Sequence, residues 1–130
     1  MYQIRILKQS LVVVVLLLLA SACTYDFIEL PQPEPIDPTD TISFQSAIVP
    51  IFTNDNNCTA CHTTGATSPD LTASRAYSSI VPALINTANP EASIIYEYPH
   101  PNSNTHSWKK LTLNEAALIL TWIQQGAKNN

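Results

Sequence analysis

Five consecutive residues, Cys58-Thr59-Ala60-Cys61-His62, put two thiols and an imidazole on little more than one turn of chain. Few chemistries want that pattern. A c-type haem is one: thiols two residues apart can add across its two vinyl groups, and the adjacent imidazole then lies under the iron. A thioredoxin-like redox pair is a second, and would want a strand before the motif and a helix after it. A structural zinc site is a third, and needs a second ligand pair, for which His100 and His106 are available. Chance occurrence is the fourth. The flanks favour haem. A helical pattern and the polar turn Asn54-Asp55-Asn56-Asn57 precede the motif, and a loop with Gly65 and Pro69 follows it. A haem at this position asks three things of the chain: export to an oxidising compartment, an apolar pocket, and a sixth iron ligand or its absence.

The N-terminus speaks to export. Met1–Lys8 carries Arg5 and Lys8 and no acid, and Leu11–Leu19 is an unbroken apolar run. A basic segment, a short apolar run and small residues read as a secretory signal peptide over residues 1–22. The run is shorter than the roughly 20 apolar residues a membrane-spanning helix needs. Ala20-Ser21-Ala22-Cys23 resembles the lipobox of bacterial lipoproteins, with Ala20 where leucine is usual. The resemblance implies cleavage before Cys23, lipidation of that cysteine and a membrane anchor, since two or more acyl chains hold stably. The three cysteines are then accounted for: Cys23 by lipid, Cys58 and Cys61 by haem.

Residues 23–41 read as an acidic tether. Pro31, Pro33, Pro35 and Pro38 alternate with Glu29, Glu34, Asp37 and Asp40, a composition that favours extended chain. The net charge is −4, and losing Arg5 and Lys8 would leave four bases against ten acids. Nucleic acid, which wants a basic face, is not an expected partner.

The folded domain is expected over residues 42–130, and its signals are helical. Phe44, Ala47, Ile48, Ile51 and Phe52 share one side of a short helix that Thr41 or Ser43 can cap, with Pro50 kinking or ending it. Leu71–Val81 has weaker helical character, with Leu71, Tyr77, Ile80 and Val81 as candidate pocket residues. Asn89-Pro90-Glu91 predicts a helix start, and the helix should run through Tyr96 to a stop at Pro99. The strongest helix begins at a Thr112/Glu115 capping box, and Gly126 ends it. Its stripe is Leu113, Ala116, Ala117, Leu120 and Ile123, widened by Ile119 and Trp122. The fold class predicted is all-α. So small a domain needs a staple, and a covalent haem would be one.

This order of elements resembles class I cytochrome c. Ile48-Val49-Pro50-Ile51-Phe52, the Cys58–His62 motif, Asn89-Pro90-Glu91-Ala92-Ser93 and Trp122–Asn130 together resemble the planctomycete-type cytochrome c domain found in Bacteroidetes lipoproteins. The resemblance covers nearly all of residues 42–130. It implies three or four short helices with long loops around one haem c, with Phe44 and Trp122 packed where the first and last helices cross. It also implies a methionine as the distal ligand, in a loop before the last helix. Here the chain departs: the only methionine is Met1, within the signal segment. Two histidines stand in the ligand loop instead. His106 lies just before the last helix and is favoured as distal ligand opposite His62; His100, in a His-Pro step further upstream, is the alternative, and an open or water-bound site is the third option.

The expected function is a membrane-anchored monohaem electron carrier serving redox proteins on the periplasmic side or cell surface, with the outer membrane mildly preferred. Two other classes stay open: a peroxidase-like or gas-binding haem protein with an open distal site, and a non-haem surface lipoprotein.

Overall fold

The computed structural model describes residues 3–6, 8, 11, 32–37 and 39–130. The chain divides into two compact units, residues 1–30 and 31–130. The described residues of the first unit, 3–6, 8 and 11, are helical. Most of the apolar run and the Ala20-Ser21-Ala22-Cys23 step lie outside the described residues. Among the described residues no helix is long and apolar enough to cross a membrane.

The larger unit is helical, with no strand among its described residues. It opens with a π-helical turn, Phe44–Ile48, capped by Ser43, whose hydroxyl accepts from Ser46 N–H at 3.3 Å. That turn runs straight into α1, Val49–Thr53. The sequence predicts a kink or stop at Pro50; the outcome is a wider turn. Proline has no N–H, and its ring collides with the carbonyl four residues back. The chain answers with a π turn, in which Val49 N–H reaches Phe44 O, and seats Pro50 in the first turn of α1. Helix α2 spans only Ala76–Ile80 of the predicted Leu71–Val81 segment.

The Asn89-Pro90-Glu91 signal yields two pieces rather than one helix. Pro90–Ala92 is a 3₁₀ turn and α3 is Ile94–Glu97. Ser93 between them is extended, and Asn89 makes no side-chain cap. Ser93 is buried, and its Oγ accepts from Asn86 N–H at 2.9 Å. Holding that loop takes precedence over continuing the helix.

Helix α4, Leu113–Gln124, has the predicted ends. Thr112 Oγ1 accepts from Glu115 N–H at 3.2 Å, and Thr112 N–H donates to the Glu115 carboxylate at 2.7 Å. At its far end Gly126 adopts φ +94°, with Gly126 N–H on Ile123 O and Ala127 N–H on Trp122 O. This is the Schellman pairing that glycine permits there. The buried face is centred on Ala116, Ile119, Trp122 and Ile123, while Leu113, Ala117 and Leu120 are half-buried at its edge. The predicted stripe is therefore rotated, with its two widening residues at the centre.

Helix α4 packs on the π turn, on the Pro90–Ala92 turn and on α3. Phe44 sits between two rings, Trp122 at 5.1 Å and Tyr77 edge-on at 5.2 Å between centroids. The polar ends of those rings are satisfied: Trp122 Nε1–H donates to Lys128 O and Tyr77 O–H to Ala127 O. The segment read as a tether contributes too. Ile36 packs against the core, Glu34 N–H donates to Asn114 Oδ1, and the Gln125 side chain bridges Asp40 O and Ile42 N–H.

Candidate functional site

The Cys58–His62 motif hangs from the end of α1. Cys58 N–H and Thr59 N–H both donate to Phe52 O, and Asn57 Nδ2 donates to Ile51 O. Cys61 N–H and His62 N–H then return to Cys58 O, closing a helical turn. That turn brings both cysteines and His62 to the lining of a cavity of about 600 Å³. The volume falls within the roughly 300–1,000 Å³ of small-molecule sites. Both thiols are free. Cys61 is exposed and Cys58 half-buried. Burial pushes the Cys58 thiol above its ordinary range, Glu115 adds to the rise and Lys109 opposes it. A thiol so held stays protonated near neutral pH.

The loop after the motif fixes His62. Leu71 N–H donates to His62 O at 2.9 Å, and Thr67 N–H to Cys61 O at 3.2 Å. Asp70 braces the loop by accepting from the hydroxyls of Thr64 and Thr72 and from Thr72 N–H. Those bonds, with Thr64 first, hold its carboxyl below the usual range. Pro69 O lies 3.2 Å from His62 Nδ1. A carbonyl can only accept, so Nδ1 carries the proton and Nε2 keeps a free lone pair. A second contact of this kind orients most metal-binding histidines.

His106 faces His62. The ring centroids are 6.2 Å apart and the planes differ by 27°. The two rings are thus a near-parallel, stacked pair on one cavity. His106 Nδ1 is buried without a hydrogen-bond partner. Among the described residues one other buried side-chain atom shares that condition, Asn57 Oδ1, and both residues line this cavity. Unsatisfied buried polar atoms mark strain or a ligand. The exposed large apolar side chains of the larger unit, Ile94, Tyr98 and Trp108, line it as well, and exposed apolar surface gathered at one place marks a binding site.

His100 is elsewhere. It does not line the cavity; its ring packs 5.0 Å from Tyr96, and its Nδ1 accepts from Asn102 N–H at 3.2 Å. That bond uses the Nδ1 lone pair and puts the ring proton on Nε2. Of the predicted pocket residues, Leu71 lines the cavity, while Tyr77, Ile80 and Val81 belong to the core around Phe44 and α2. Walls that sequence reasoning missed come from the short helices α2 and α3, with Ser79 and Ile94, and from turns with no periodicity, with Ala83, Leu84 and Trp108.

The residues present fit a haem. Two thiols at the right spacing stand beside one oriented imidazole, a second imidazole lines the same cavity 6.2 Å away between ring centres, and the walls are largely apolar. Among the described residues no three His, Cys, Asp or Glu side chains converge to hold a bare metal ion. No protein-family model, curated protein or solved structure matches this chain.

Proposed function

We propose that this chain is a lipid-anchored monohaem c-type cytochrome with a class I-like helical domain, and that it carries electrons between redox proteins outside the cytoplasm. The observation that carries the reading is that His62 and His106, with ring centres 6.2 Å apart, line one cavity together with Cys58 and Cys61. Cys58 and Cys61 would hold haem c by thioethers, His62 would be the proximal ligand and His106 the distal one. When bound, the haem supplies one-electron chemistry at its iron. The chain's own part is to orient His62 through Pro69 O, present His106 from the facing loop, and cover the plate with Phe52, Leu71, Leu84 and Ile95. With both histidines bound the iron would have no open position, which would favour electron transfer over substrate chemistry. Histidine in place of methionine sets a lower reduction potential. Cys23 is the proposed lipidation site, which would tether the domain to a membrane.

Alanine replacement of each histidine in the haem-loaded protein tests the ligand assignment. His106→Ala should lose the low-spin oxidised spectrum and bind carbon monoxide quickly when reduced, while His100→Ala should keep the wild-type spectrum. Two variants that both stay low-spin would sink the bis-histidine reading.

A further inference from the structure

Lys110 stands apart from the chain's other cations in what it holds. Its side chain is half-buried on the cavity wall, and its ammonium donates to Pro101 O at 3.3 Å and to Ser103 O. Both acceptors belong to the loop that presents His106. The same loop is closed at its base by Leu111 N–H on Pro99 O at 2.8 Å. Inside it, Thr105 Oγ1 donates to Tyr98 O at 3.1 Å and Thr105 N–H to Ser103 Oγ at 3.1 Å. The segment 99–110 has no helix and no core residue of its own. Its shape therefore rests on hydrogen bonds: those above, Ser103 N–H on His100 O at 2.9 Å, Asn102 N–H on His100 Nδ1 at 3.2 Å and the Ser103–Thr105 hydroxyl pair. Lys110 adds the charged donor, tying the end of the segment next to helix α4 back to Pro101 and Ser103.

We infer that Lys110 is a positioning residue for the distal ligand: its ammonium clamps the tip of the 99–110 loop to the cavity wall and so holds His106 opposite His62. The inference rests on the haem reading above. A hydrogen bond from a charged donor is stronger than a neutral one, and three donors on one ammonium can grip two carbonyls at once. Arginine offers more donors on a similar stem and should keep the grip. Methionine keeps the stem and the apolar packing but donates nothing.

The test uses haem-loaded protein with Lys110→Met and Lys110→Arg beside His106→Ala. Carbon monoxide must wait for His106 to leave, so its binding rate to the reduced protein reads the open fraction. Lys110→Met should bind it at least about tenfold faster than wild type, equivalent to about 1.4 kcal/mol of lost clamping, and should show a high-spin fraction when oxidised. Lys110→Arg should restore both signals. The urea midpoint separates a clamp from a general loss of stability, since Lys110→Met should shift it little. If Lys110→Met bound carbon monoxide at the wild-type rate while His106→Ala bound it quickly, the clamp would be refuted and the haem reading would stand. If His106→Ala also left rate and spectrum unchanged, His106 would not be the ligand and the clamp would fail with it.

Discussion

The crossing between Phe44 and Trp122 and the cavity between His62 and His106 are built to different standards. At the crossing every part is complete. Phe44 is fully buried between Trp122 and Tyr77, and the indole and phenol each donate to a carbonyl. At the cavity two buried polar atoms lack partners, three large apolar side chains are exposed, and two imidazoles stand 6.2 Å apart between ring centres. The first region is finished by the chain alone, as a core should be. The second has the properties of a surface shaped for something the chain does not encode. The haem reading follows from that contrast as much as from the Cys-x-x-Cys-His motif.

Crossed substitutions break the comparison most sharply. Trp122→Ala removes the largest buried side chain at the crossing and the Lys128 hydrogen bond, and should cost about 3–5 kcal/mol by urea unfolding. The folded fraction should keep the wild-type haem spectrum. His106→Ala should do the reverse: the spectrum changes, while the cofactor-free chain loses no more than about 0.5 kcal/mol, because the imidazole there has an unsatisfied nitrogen to lose. Similar stability losses for the two would erase the distinction.

A smaller effect probes the brace behind His62. The folded-state pKa of Asp70 is lowered, first by Thr64 and then by Thr72. Such a group adds stability above its unfolded value of about 3.9 and loses it as pH falls through the lower folded value. Wild type should therefore be modestly more stable than Asp70→Asn at neutral pH, and the gap should close in acid. A gap that persists unchanged in strong acid would mean that the carboxylate charge is not what braces the loop.

Legibility in the sequence divides along the same line. Helix α4 could be read to within a residue, because a capping box, a 3.6-residue stripe and a terminal glycine agree. Even there, periodicity left the stripe's centre open; packing settles it, with Trp122 against Phe44 and Ile119 fully buried in the core. The π turn before Pro50 was not legible, since sequence shows that proline disturbs a helix but not how the backbone absorbs it. Ser93 interrupts the Pro90 helix where its hydroxyl accepts from Asn86 N–H, seven positions upstream, a bond no local signal announces. At the site, the motif named Cys58, Cys61 and His62 outright. The choice between His106 and His100 rested on distance along the chain. Folding adds the physical distinction: one imidazole on the cavity and unsatisfied, the other pinned to Tyr96 and Asn102. The rest of the cavity wall comes from helices of four or five residues and from turns such as Ala83-Leu84, all too short to carry a period.

The central claim is that Cys58 and Cys61 hold one haem covalently. Intact mass and the reduced pyridine haemochrome spectrum, taken on chain produced with the c-type haem machinery, test it together. The account predicts a mass raised by one haem, resistant to acid–acetone extraction, a haemochrome typical of two thioethers, and no thiol at Cys58 or Cys61 open to alkylation. An unmodified chain in which both cysteines alkylate freely would contradict it.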